Sequence, residues 1–249
     1  MAESSQEIPI LKLGPGAKDQ IIYFFGAYHT NNPEDPQFDN LKKIWGEFLL
    51  KSGVNKTAFV EGATREIPEA YEEAIREYGE AGALQWLAHG RGIGVSRPEL
   101  GEREQRQLLS NTYYPELVAY TVIAQNLAGW LRHTKKESFQ DALARVLGRE
   151  AKFSDIYNFN LNGEWFESKH KELFGSQGIE DKTFLDSITD PRKKNTVINE
   201  IVASRSALRN KYLLEVIANA WKNGESIFIV YGKGHLASLE SELQSLVKE

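Results

Sequence analysis

Three compact apolar runs punctuate a chain whose remaining hydrophobic residues recur mostly at helical spacing. Residues 21–25 (IIYFF), 57–60 (TAFV) and 226–231 (SIFIVY) are blocks of β-formers without the alternation of a half-exposed strand, the pattern of strands covered on both faces. Residues 92–96 (GIGVS) are a further strand candidate. Between the first two runs, Phe38, Leu41, Trp45, Phe48 and Leu49 keep helical spacing and Gly53 offers a stop, so this segment predicts a βαβ unit with a right-handed crossover. A helix over about residues 68–89, weakened at Gly79 and Gly82, and one or two helices over 102–148 continue the alternation. Asp190 as N-cap and Pro191 as first helical residue predict a long helix through Val197, Ile201, Leu208, Tyr212, Val216 and Ala220 to a stop at Asn223 and Gly224. Leu236, Leu239, Leu243 and Leu246 mark a last amphipathic helix, while 151–189 show little regularity and suggest a cap or lid. The expectation is an α/β protein: a central, largely parallel sheet flanked by helices, one domain over 1–249 with a mainly helical insertion at about 102–185.

Composition narrows the functional classes. With 249 residues, 41% of them apolar, the chain can bury one substantial core. A net charge of -5 gives no clustered basic footprint for phosphate, so no nucleic-acid partner is expected, and Arg192, Lys193 and Lys194 read as a solvated helix start. The absence of cysteine excludes disulfides, thiolate metal sites and a cysteine nucleophile, leaving His, Asp and Glu for any metal. The opening MAESSQEIPILKLGPG lacks the basic start and apolar core of a secretory signal, and no stretch approaches the ~20 apolar residues of a membrane span. A cytoplasmic protein without a membrane partner is therefore expected, or a mature chain whose leader has been removed; the oligomeric state is not legible.

The chemistry concentrates at strand ends. IIYFFGAYH and SIFIVYGKGH share one layout, an apolar strand followed by Gly-x-x-His, and TAFVEG puts Glu61 at the end of its own strand. In a parallel sheet the carboxyl ends of the strands face one edge, where ligands bind, so His29, Glu61 and His235 are expected to converge. Gly26 and Gly232 would supply the turns and Gly234 the room for a metal or substrate. Two imidazoles and a carboxylate are a competent three-ligand set for a divalent metal with positions left for water and substrate. The alternative for Glu61 is a helix N-terminal cap.

Other residues carry less. His89, His133 and His170 have no partner spacing and are expected to be surface or capping histidines; HExxH is absent; GPGAKD lacks a phosphate-loop ending and reads as a turn. The scattered Trp and Tyr residues suit core or cap packing. Arg205 and Arg209, four apart on one helical face, are candidates to clamp a carboxylate or steady an oxyanion, or else an exposed pair tied to Glu. Glu99, just past the GIGVS strand, is a further candidate at the same edge.

The order Gly-x-x-His after the first strand, VEG after the second, Arg209-Asn210 in a long late helix and YGKGHL near the end resembles the TraB/Tiki group of the erythromycin esterase and ChaN-like superfamily, most closely its small GumN-like bacterial members. The resemblance spans about residues 21 to 240. It implies an α/β fold with a helical insertion and a metal-dependent hydrolase site on His29, Glu61 and His235, with manganese, cobalt or zinc as the cation. A peptide or small-molecule substrate is expected, with Glu99, Asn210 and Tyr231 as candidate contacts and Arg205 or Arg209 to steady the developing negative charge in a catalytic supporting role. Relatives of this group also hydrolyse a macrolide ester, bind haem or restrain peptide pheromones, so a metal-free esterase-like site and a non-catalytic haem- or peptide-binding cleft stand as alternatives.

Overall fold

The computed structural model of the chain describes residues 8–62, 66–132 and 137–248. It divides into two compact units: the described residues up to Glu99 together with those from Asn210 onward, and the segment Leu100–Arg209.

The first unit is built on a five-stranded sheet of β1 (Ile10–Leu13), β2 (Ile22–Ala27), β3 (Lys56–Val60), β4 (Gly94–Ser96) and β5 (Ser226–Gly232), in the order β1-β2-β5-β3-β4. The strands β2, β5, β3 and β4 run parallel and β1 pairs antiparallel with β2, so the fold is α/β with a largely parallel sheet. The edge strand β1 escapes sequence reading because ILKL is short and partly exposed; its register with β2, Ile10 to Phe25 and Leu13 to Ile22, is fixed by pairing with a distant segment.

Alternate residues of the central strands feed two cores, as the pleat requires. Tyr23, Phe25, Ala58, Val60, Phe228 and Val230 pack with α1 (Pro36–Lys51) and α2 (Tyr71–His89). Ile22, Phe24, Phe59, Ile227, Ile229 and Tyr231 pack with α10 (Lys233–Leu246) and with Leu213, Ile217 and Trp221 of α9 (Val197–Lys222). Because β5 lies between β2 and β3, the chain leaving β2 and the chain leaving β3 emerge on either side of the end of β5.

Two local devices shape the chain beyond β2 and β3. After β2, the buried amide of Gln37 clamps Tyr28, accepting from its N–H at 3.0 Å and donating to its carbonyl at 2.7 Å, while Asp35 caps α1 through the Gln37 N–H. Helix α2 is broken at Gly79, whose φ of 60° and ψ of -140° lie outside helical space.

The described residues of the second unit form helices: α3 (Glu102–Ser110), α4 (Pro115–Arg132), α5 (Phe139–Glu150), α6 (Ser154–Tyr157), α7 (Gly163–Phe174), α8 (Lys182–Ile188) and the part of α9 before Asn210. Val118, Tyr120, Leu127, Leu143, Phe166 and Ile201 are among its core residues. The span expected to hold one or two helices holds three, and the span expected to be irregular contains α7 and α8, each started by a side-chain cap, Asn162 on Trp165 N and Asp181 on Thr183 and Phe184 N. Helix α9 begins later than expected, because the Asp190 carboxylate turns back on the Arg192 N–H and guanidinium, and Thr196 accepts from Asn199 N at the true start. Arg192, Lys193 and Lys194 therefore precede the helix.

His170, expected as a surface or capping histidine, is instead a core one: it is 4% exposed, with Nδ1 on the Tyr120 hydroxyl at 2.7 Å and Nε2 on the Gln177 carbonyl at 2.9 Å. His89 is exposed in the last turn of α2, and His133 lies outside the described residues. The unit also buries an ion pair in which Arg106 donates to both oxygens of Glu150 at 2.6 Å, Tyr157 donates to the same carboxylate, and the Arg106 guanidinium sits 4.0 Å from the centre of the Phe153 ring. Among the described residues no helix is long and apolar enough to cross a membrane.

Candidate active site

At the carboxyl ends of β2, β3 and β5 the structure brings His29, Glu61 and His235 together. Glu61 follows β3 directly, and its N–H donates to the Val230 carbonyl of β5 at 3.1 Å, extending the ladder one residue past the strand. Its carboxylate then lies between the two histidines, with Oε1 3.3 Å from His235 Nε2 and Oε2 3.9 Å from His29 Nε2. Oε2 also accepts the Gly232 N–H at 2.9 Å, where Gly232 is the N-cap of α10. The capping role and the site role thus coexist on one carboxylate, and the positive end of the α10 dipole favours its charge.

Each imidazole is backed on its other nitrogen. His235 Nδ1 meets Asn210 Oδ1 at 2.5 Å, and His29 Nδ1 meets Glu80 Oε1 in a short contact. An amide oxygen and a carboxylate accept, so each Nδ1 stands where it can donate to the group behind it, and each Nε2 is left on the side of Glu61. The His29 side chain is 64% exposed, whereas those of His235 and Glu61 are 14% and 19% exposed, so the site opens on the His29 side.

The glycines act differently from expectation. Gly26 is inside β2 with no turn to make; a Cβ there would stand 2.9 Å from Pro9 Cγ and 3.2 Å from Leu236 Cδ2, so it answers a close approach of chain. Room for the site comes from Gly232, where a Cβ would lie 2.7 Å from His29 Nε2 and 3.3 Å from Glu61 Oε2. Gly234 has nothing within 4 Å of its Cβ position.

The remaining candidates fall in varied surroundings. Asn210 stands behind His235, and Tyr231 is buried, its ring edge-on to His235 at 5.5 Å and its hydroxyl donating to the Pro98 carbonyl at 3.3 Å. Glu99 is partly buried in the loop after β4. Arg205 and Arg209 belong to the second unit, where Arg205 donates to Gln105 Oε1 at 2.9 Å and Gln125 Oε1 at 2.8 Å. Burial, helped by the Arg209 and Arg106 guanidiniums, lowers Arg205 to about 10, which leaves it a cation at neutral pH.

Glu80 is the residue that sequence reading missed. It is 8% exposed and is the first residue beyond the break in α2. The local sequence offers only the two glycines Gly79 and Gly82 on either side of it, which mark a weak point in the helix but not the direction of the Glu80 side chain.

The donor set suits a divalent cation chemically. Ligand atoms about 2.1 Å from one ion lie roughly 3.0–3.5 Å from each other; the His235 Nε2–Glu61 separation of 3.3 Å falls in that range and the His29 Nε2–Glu61 separation of 3.9 Å exceeds it. Among the described residues no group of three or more His, Asp or Glu side chains stands close enough together to hold a metal ion; the site offers two imidazole–carboxylate pairs that share Glu61. The chain matches no protein-family model, no curated protein and no solved structure.

Proposed function

We propose that the chain is a divalent-cation-dependent hydrolase of an amide or ester bond, in which His29, Glu61 and His235 hold the cation. The observation that supports this reading is the arrangement of two imidazoles that present Nε2 to one carboxylate while their Nδ1 atoms are engaged behind. A manganese, cobalt or zinc ion held there would supply Lewis acidity and would lower the pKa of water toward neutrality. The protein's part is positional: Glu61 is fixed by the Gly232 N–H, His235 is oriented by Asn210, and the exposed His29 faces incoming substrate. Alternatively the two histidines hold the cation and Glu61 acts as general base on the water. The same reading makes the chain a TraB/Tiki-like protein with a peptide or small-molecule substrate.

Calorimetric titration of the protein with Mn, Co and Zn ions, alongside a panel of peptide and ester substrates, tests the proposal. Binding of one ion per chain that disappears in His235→Ala, with hydrolysis lost in parallel, is the expected result. Unchanged binding in His235→Ala, or no binding by the unaltered protein, refutes the metal assignment.

The carboxylate behind His29 favours one second reading, a metal-free esterase-like site. There His29 takes the proton from water and Glu80, in place of Glu61, orients its ring. Hydrolysis that survives exhaustive EDTA treatment selects this reading over the first.

A further inference from the structure

Helix α2 is interrupted at one point, and the interruption is built from both sides. At Gly79 the backbone takes a φ of 60°, and a Cβ there would stand 2.9 Å from the Thr30 carbonyl. At Gly82 a Cβ would stand 2.2 Å from the Ala74 carbonyl, so the two halves of the helix approach each other at a position only glycine permits. The break leaves the Ile75 and Arg76 carbonyls in need of donors, and Asn31 Nδ2 reaches both, at 3.2 Å and 3.1 Å. Thr30 and Asn31 follow His29 directly, so the loop that carries the histidine is the loop that repairs the helix. The product of the break is Glu80, turned inward against His29 Nδ1.

We infer that Glu80 is a positioning residue for the candidate site: its carboxylate accepts Nδ1–H of His29, fixes that tautomer and aims Nε2 toward Glu61, and the break at Gly79 exists to deliver it. The part concerning the cation rests on the proposed hydrolase reading; the part concerning the tautomer does not. A carboxylate behind a ligating histidine holds the ring's orientation and raises its basicity, and losing such a partner weakens metal affinity by about 10–100-fold.

Long-range proton–nitrogen NMR correlations at fixed neutral pH read the His29 tautomer without any metal, and calorimetry with Zn and Mn ions reads the affinity. The unaltered protein is expected to show His29 in the Nδ1–H form. Glu80→Ala is expected to shift it toward Nε2–H and to weaken zinc binding by about 10–100-fold. Glu80→Met, which keeps the length of the side chain and removes the accepting oxygens, is expected to shift the tautomer as Glu80→Ala does, and it decides the matter if Glu80→Ala fails to fold. Glu77→Ala, a charge loss at an exposed position of the same helix, is expected to change neither readout. His29 in the Nε2–H form in the unaltered protein overturns the inference, as does a tautomer and an affinity indifferent to Glu80→Ala. Absence of metal binding by the unaltered protein would sink the hydrolase proposal alone, since the tautomer readout still judges Glu80.

Discussion

Substituting Gly232 by alanine separates the candidate site from the stability of the fold. The added methyl would lie 2.7 Å from His29 Nε2, 3.1 Å from His29 Cε1 and 3.3 Å from Glu61 Oε2. Regaining van der Waals separation requires the imidazole edge to retreat by roughly 0.7 Å or more. That retreat is cheap for the fold, because the His29 side chain is 64% exposed and the backbone at Gly232, φ -53° and ψ 142°, is open to any residue. On the proposed cation-binding reading it is expensive for the site, since metal ligands tolerate displacements of only about 0.2 Å and a 1 Å misplacement lowers a rate by roughly a hundredfold. The expected result is a stability within about 1 kcal/mol of the unaltered protein, the entropic gain of Gly→Ala offsetting a weaker N-cap, together with a metal affinity or hydrolysis rate down by about 10–100-fold. Urea unfolding and calorimetric zinc titration on the same preparations measure both. Gly232→Ala binding zinc as tightly as the unaltered protein would show that His29 Nε2 has no share in the site. A loss of several kcal/mol in stability would show instead that Gly232 serves the fold.

Three other perturbations test neighbouring parts of the reasoning. Gly79→Ala places a side chain at a φ of 60° against the Thr30 carbonyl, so it should cost about 1–3 kcal/mol in urea unfolding and weaken zinc binding as well; normal binding would dissociate the helix break from the site. Glu150→Ala strands the buried Arg106 guanidinium and should cost about 3–5 kcal/mol, while the double replacement Arg106→Leu, Glu150→Leu should recover much of that; equal losses would contradict a desolvation origin. The Asp190 carboxyl is held at about 2, chiefly by its hydrogen bonds from Arg192, below the usual value of about 3.9. Folding therefore favours its charged form, and its contribution is complete above about pH 4 and lost as the pH falls through about 2; Asp190→Asn should remove that part of the acid dependence of stability, and an unchanged acid profile would refute it.

What the sequence discloses and what it hides divide along physical lines. His29, Glu61 and His235 are legible because each follows an apolar block, and a parallel sheet sends the ends of such blocks to one edge whatever the strand order. The caps at Asn162 and Asp181 were local signals for α7 and α8 that the aromatic-rich surroundings of 151–189 obscured. Other features depend on tertiary contact and leave no local trace. The spacing role of Gly232 requires knowing that β5 lies between β2 and β3, so that its end is flanked by both His29 and Glu61. Asp190 has the composition of an N-cap, yet its carboxylate is captured by Arg192 two residues on, and the helix waits for Thr196.

Glu80 is the instructive case. EYGEAGAL reads as helix with two weak points, and an unbroken helix would leave Glu80 oriented by helical period alone. What changes its direction is the combination of a positive φ at Gly79 and carbonyls that Asn31 satisfies from 44 and 45 residues away in the chain, a pairing with no counterpart in local propensity. An unrepaired break in a helix leaves polar groups unsatisfied, at a cost of about 1–3 kcal/mol for each one that is buried. The same side chain that removes this cost belongs to the loop carrying His29, so the hydrogen bonds that make the break tolerable are also those that hold the histidine loop against Glu80.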